Sequence, residues 1–175
     1  MRRIVINMQN SLFCNAIADT LRRSGNELEP YTIDSPDKVV DECKWIAPYA
    51  LLMEVTGYTP WLLSERMKIR DAVKEMHPEC KIVFIVDENK EKAIAKQVKQ
   101  AKKDGLIDQF IYGSISASYL ADIVDSLWKA VAAIEMNLKP FFCITENVHA
   151  SLGRSAARES GLHTAEQHLR KERFY

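Results

Sequence analysis

The sequence predicts an α/β fold: a doubly wound, five-stranded parallel sheet of order 2-1-3-4-5, covered by helices on both faces. Three observations carry this. Over residues 1–136, short apolar runs alternate five times with segments of helical periodicity, and each intervening segment is long enough for a crossover between parallel strands. The third run, Tyr49 to Val55, is apolar nearly throughout, as a central strand covered on both sides must be. The second run contains Pro30, which cannot donate to a ladder and so belongs at a sheet edge.

The elements follow in order. Arg3 to Asn7 reads as the first strand. Ser11 is positioned to cap a helix whose apolar face holds Leu12, Phe13, Ala16, Ile17 and Leu21, and Ser24-Gly25-Asn26 ends it. Leu28 to Ile33 is the second strand. Ser35-Pro36 gives a cap followed by proline at the first helical position, and Val39, Val40, Cys43 and Ile46 form the inner face. After the third strand, Thr59-Pro60 repeats the cap signal, and Leu62, Leu63, Met67, Arg70, Val73 and Met76 mark a helix reaching His77-Pro78. Ile82 to Val86 is the fourth strand. Glu88 to Lys103 is a lysine-rich helix closed by Asp104-Gly105. Gln109 to Tyr112 is the fifth strand. Ser116 or Ser118 opens a last helix with Leu120, Ile123, Val124, Leu127, Val131 and Ile134 inward.

Beyond Lys139-Pro140 the character changes. Phe141 to Ile144 is a short apolar cluster, and Ala150 to Tyr175 is polar with helical composition from about Thr164. The expected organisation is a domain over 1–136 and a C-terminal extension over 137–175, partly helical and mobile at its end.

Composition excludes several classes. With 47% hydrophobic and 27% charged residues the chain is globular rather than disordered. Lys plus Arg and Asp plus Glu are 24 each, so no global field steers the protein to nucleic acid or to a membrane. No apolar run reaches bilayer length, and Ile4-Val5-Ile6 is too short for a signal-peptide core. A cytoplasmic location is expected. Cys14, Cys43, Cys80 and Cys143 are far apart with no C-x-x-C pair, which suits packing as small apolar side chains. His77 has no ligand spacing, and His163 and His168 fall off one helical face. Neither a metal nor a cofactor is expected.

Three local features resemble the receiver domain of two-component response regulators, the chemotaxis-regulator fold. They are Arg3 to Ile6 with Leu12 after a polar corner, Leu51-Leu52-Met53-Glu54-Val55, and Ala101 to Ile111 with Gly105, Asp108 and Phe110. The resemblance covers residues 2 to about 134 and rests on the order and spacing of the units. It implies a phosphorylation site at the strand C-termini: two acids holding Mg²⁺ after the first strand, an aspartate nucleophile ending the third, a hydroxyl ending the fourth and a lysine ending the fifth. This chain departs at every landmark. Met8 and Gln9 stand at the acidic pair, Glu54 at the aspartate, Val86 at the hydroxyl, and Gly113 near the lysine, with Ser114 where a proline usually follows. No lysine occurs between Lys103 and Lys129. Without metal and lysine nothing offsets the repulsion between a carboxylate and a phosphoryl donor. The expected protein is therefore an atypical, non-phosphorylated receiver-like module acting by protein–protein interaction, and not an enzyme.

Other readings of the same residues stay open. Glu54 is either a fixed negative charge mimicking phosphorylation or a hydrogen-bonded strand end. Asp34, Asp87 and Glu88 could join Glu54 in a cation site, although acids there more often cap helices. The lysines at 90, 92, 96, 99, 102 and 103 are mainly a solvated face, with a balance of +2 over 87–104. The resemblance nonetheless implies a partner or homodimer surface on the helix 4–strand 5–helix 5 face, carried by Lys92, Lys96, Lys99, Lys103, Tyr112 and Tyr119, with Trp128 nearby. Tyr58 and Trp61 fall near the ancestral site as covers for a pocket. One alternative is a flavodoxin-like nucleotide- or flavin-binding enzyme with its site at the strand C-termini. Asn7 to Ser11 has no glycine, however, and makes a poor phosphate cradle. The other alternative is a DNA-associated regulator using the tail, whose charges leave only +2 over Arg154 to Arg173. Nucleic acid is not the expected partner.

Overall fold

A computed structural model describes residues 1–25, 27–116 and 118–127. The extension over 137–175 and the inward positions Val131 and Ile134 lie outside the described residues, as do Trp128 and Cys143. The order is β1 (Arg2–Asn7), α1 (Ser11–Arg23), β2 (Leu28–Thr32), a 3-10 turn (Pro36–Lys38) running into α2 (Val39–Ile46), β3 (Ala50–Val55), α3 (Leu63–Met76), β4 (Lys81–Val86), α4 (Lys92–Lys103) and β5 (Gln109–Tyr112). Residues 118–127 are helical and form α5. The strands make one parallel sheet of order β2-β1-β3-β4-β5, as the sequence predicts.

Strand alternation divides the core in two. On one face Ile4, Ile6, Leu52, Val83, Ile85 and Ile111 pack with Cys14, Ile17 and Leu21 of α1 and Leu120 and Val124 of α5. On the other, Val5, Leu51, Met53, Ile82, Phe84 and Val86 meet Val39 and Cys43 of α2, Val73 of α3, and Ala95, Val98 and Ala101 of α4. Neither face of β3 or β4 reaches water at these positions, which is why both strands read as unbroken apolar runs. A fully buried Ile or Leu side chain contributes about 1.5–3 kcal/mol over its exposed state. Ile17 and Leu21 therefore dominate the docking of α1.

Several local expectations need correction. The cap of α1 is Asn10, whose Oδ1 accepts from Phe13 N–H at 3.0 Å, and not Ser11. The buried stripe is Cys14, Ile17, Ala18 and Leu21, while Leu12 is 80% exposed. The small residues Cys14 and Ala18 complete the i, i+3, i+4, i+7 stripe, and the larger Leu12 is out of phase with it. Ser35 makes no side-chain cap bond. Thr59-Pro60 is a cis peptide in a turn and not a helix start. Trp61 N–H donates to Tyr58 C=O and Thr56 N–H to Trp61 C=O, so the chain doubles back before α3 begins at Leu63. α4 begins at Lys92 rather than Glu88, because Asp87 Oδ1 accepts from the N–H groups of Asn89 and Lys90 and holds those residues in a turn.

Both sheet edges are defined. At β2, Ile33 N–H bonds Ile6 C=O at 2.9 Å. Pro30 lies three residues earlier, so by alternation its nitrogen faces away from β1. Arg22 Nη2 reaches the Pro30 carbonyl at 3.3 Å. At the far end of α4, Gly105 takes a left-handed φ of +71°, which only glycine adopts without cost. This turn returns the chain to β5.

Candidate functional site at the strand C-termini

The C-terminal ends of β1, β3, β4 and β5 meet over a small pocket of about 230 Å³. Met8, Phe13, Ile85 and Val86 supply its apolar wall, Gly113 a bare backbone position, and Glu54, Asp87 and Lys90 its charges. The five residues placed at receiver landmarks therefore come together: Met8, Glu54, Val86 and Gly113 line the pocket, and Gln9 N–H donates to Glu54 Oε2 at 2.7 Å. Glu54 is half-buried and makes no ion pair among the described residues. Among the described residues, the one lysine lining the pocket comes from the β4–α4 turn. Lys90 Nζ stands 3.5 Å from Asp87 Oδ2. Hydrogen bonding from the Lys90 N–H, with help from the Asn89 N–H and the Lys90 charge, holds the Asp87 carboxyl below its ordinary value against some desolvation.

The other acids go elsewhere. Asp34 lines a groove beside β2, and Glu88 lines one beside α4. No group of three His, Cys, Asp or Glu side chains suited to a metal forms among the described residues. The four-acid arrangement considered from the sequence is not assembled. Tyr58 and Trp61 do not line the Glu54 pocket either. Tyr58 is exposed, and Trp61 is buried against Arg66.

Arg66 is the residue that sequence reasoning missed. It is fully buried on α3. Its Nε donates to the Glu54 carbonyl at 2.9 Å and its Nη1 to Asn7 Oδ1 at 2.8 Å. The guanidinium carbon stands 4.2 Å from the centroid of the Trp61 ring, a cation–π contact. Asn7, also fully buried, turns its Nδ2 to the Ile33 carbonyl at 2.6 Å. One guanidinium thus ties the ends of β1 and β3 to α3, and through Asn7 to the exit of β2. Both direct acceptors are neutral, and Nη2 is buried with no partner among the described residues. Burial pulls the Arg66 pKa down to about 10, and the Glu54 charge raises it only in part. The available signal was periodicity, since residues 63, 66, 67, 70 and 73 share one helical stripe.

The α4 surface divides the predicted partner residues. Lys92, Lys96, Lys99 and Tyr112 line one groove of about 280 Å³, together with Glu88 and Ala95. Lys103 is exposed beyond that lining, and Tyr119 stands 56% exposed on α5.

Away from these sites, Cys14, Cys43 and Cys80 are free, buried thiols. Burial, aided by nearby Asp34 for Cys14 and Glu42 for Cys43, raises their pKa values to about 11, 12 and 12 respectively. They are neutral packing groups. Among the described residues no helix is long and apolar enough to cross a membrane.

No protein-family model and no curated protein sequence matches the chain. Solved structures do. A response-regulator receiver domain protein from Clostridium thermocellum superimposes with a TM-score of 0.62 at 12% identity, over 77% of this chain and 99% of that one. A CheY-like receiver domain protein from Methanospirillum hungatei gives 0.57 at 13% identity, over 74% and 95%. A streptococcal redox sensor evolved from two-component response regulators gives 0.63 at 9% identity, over 78% and 55%. The fold is that of response-regulator receiver domains.

Proposed function

We propose that this chain is a receiver-like regulatory module that does not take up a phosphoryl group and works by binding another protein. The observation that carries the reading is the makeup of the pocket at the strand C-termini. A receiver's chemistry needs a hard cation, held by oxygen ligands, and a lysine on the phosphoryl oxygens. Here the wall is Met8, Phe13 and Val86, and one oxygen of Glu54 is engaged by the Gln9 N–H. Lys90 pairs with Asp87. Arg66 Nε donates to the Glu54 backbone carbonyl and not to its carboxylate. A phosphoryl donor entering this pocket would meet negative charge, and among the described residues the nearby cations, Lys90 and Arg66, are already engaged. The partner surface is assigned to the α4–β5–α5 side, where Lys92, Lys96, Lys99 and Tyr119 are exposed and Tyr112 is half-buried.

The test is incubation with Mg²⁺ and a small phosphodonor such as acetyl phosphate, followed by intact-mass measurement. No labile adduct is expected on the native chain, nor on Glu54→Asp, since a shorter acid restores neither the metal ligands nor the lysine. An adduct on the native chain that Glu54→Gln removes would refute the reading.

A further inference from the structure

We propose that the groove between α4 and β5 receives an acidic segment of a partner protein carrying one apolar anchor; this rests on the binding-module reading above and names the partner's chemistry. Apart from Lys103, which lies beyond the groove, the described lysines around this face fall into two groups. Lys90 pairs with Asp87, Lys74 and Lys81 pair with Asp108, and Lys102 Nζ donates to the Asp108 carbonyl. Lys92, Lys96 and Lys99 are exposed, line the same groove, and make no ion pair among the described residues. Spacings of four and three residues set them along one helix face over about 10 Å. Their ammonium groups are available to carboxylates from outside.

The groove floor gives the second part of the recognition. Ala95 is buried, and Tyr112 is half-buried with its ring edge-to-face on Phe110, centroids 5.4 Å apart. An aromatic wall already fixed by its neighbour loses little freedom when an apolar side chain packs on it. Glu88 lines the same groove before α4 begins. It repels a carboxylate there, so the occupant's acids fall along Lys92 to Lys99. A volume of about 280 Å³ admits one large side chain and not a folded surface. Three screened charge contacts and a single anchor make a transient, salt-sensitive complex. Nucleic acid fits less well. The stripe is short, Glu88 interrupts it, Tyr112 is not open enough to stack a base, and the whole chain is uncharged overall.

The experiment pans a random peptide library, about 12 residues long so that it spans the groove, on the full chain. It is counter-selected on the triple variant K92E/K96E/K99E, with circular dichroism to show that both fold. The expected winners carry Asp or Glu around one Leu, Phe or Trp. Their affinity should fall at least about tenfold between roughly 50 and 500 mM NaCl. The triple variant should lose them, Tyr112→Ala should weaken them while preserving the salt dependence, and Lys103→Glu should leave them bound. Enrichment of basic or uncharged peptides, no enrichment, or binding retained by the triple variant overturns the proposal. So does a DNA duplex that binds more tightly than the peptides and is lost in the same variant. The phosphodonor assay reads the other site, so a failed peptide result and a phosphorylated pocket are separate outcomes.

Discussion

Replacing Arg66 by methionine, which has similar length and no charge, isolates what the buried guanidinium contributes. It removes two charge-assisted hydrogen bonds, to the Glu54 carbonyl and to Asn7 Oδ1, each of about 1.5–3 kcal/mol. It also removes the contact over Trp61, about 2 kcal/mol when desolvated. Against this stands the cost of burying the charge. A pKa lowered from 12.5 to about 10 corresponds to about 3 kcal/mol at neutral pH. The expected net loss is about 2–5 kcal/mol, with Asn7 Oδ1 left buried and unsatisfied. Urea unfolding followed by tryptophan fluorescence and circular dichroism measures it, as a lower midpoint with an unchanged slope. The double variant Asn7→Leu with Arg66→Met should recover part of the loss, because the orphaned amide goes too. A single-variant loss below about 1 kcal/mol would mean that the burial cost cancels the bonds, and the network would then not hold these strand ends together.

Three further outcomes follow from particular contacts. Ala47 caps α2 at φ +48°, so Ala47→Gly should raise stability by up to about 1 kcal/mol; an unchanged or lower urea midpoint contradicts this. Asp108 Oδ2 accepts from Ile82 N–H at 2.8 Å, and its two lysine contacts are longer, at 3.5 and 3.7 Å. Asp108→Ala should then cost about 1–3 kcal/mol and Asp108→Asn, which keeps an acceptor, about 1 or less; equal losses would point to the ion pairs instead. The thiols of Cys14, Cys43 and Cys80 are held neutral in the fold. Their contribution is complete well below the unfolded value of 9.0, where folded and unfolded chains both keep the protons. It is lost as pH rises toward the folded values of about 11 to 12, at up to about 4 kcal/mol per pH unit for the three together. Urea midpoints between about pH 9 and 10.5 should fall more steeply for the native chain than for C14A/C43A/C80A, and parallel slopes would dismiss the thiols as the cause.

The parts legible in the sequence are those that depend on near neighbours. β3 and β4 announce themselves because both faces are covered, and Pro30 fixes β2 at an edge through its missing donor. The phase of α1 was misread because hydrophobicity favours Leu12 over Cys14 and Ala18, whereas the helix buries whichever residues face the sheet. Arg66 was hidden for a stronger reason. An arginine on a helix stripe ordinarily points its head to water, and Arg70 on the same stripe is indistinguishable from it in a one-dimensional pattern. Only the fold brings Asn7, 59 positions away, and Trp61 from the preceding turn against its guanidinium. The lysines from 90 to 103 are visible as a charge run, but which of them are already engaged depends on Asp87 and Asp108 in space.

The free edge of β2 also bears on how copies of this chain can meet. An unpaired strand is a template for another molecule's backbone. At Pro30 that template lacks a donor, and the carbonyl of the same residue accepts from Arg22 Nη2. Pairing of a second strand is therefore obstructed at this position. Restoring the donor with Pro30→Val would leave the packing of β2 on β1 largely intact while opening a path to fibrous self-association. A single imino acid thus acts at the outer edge of the sheet as well as within the monomer, where it is buried.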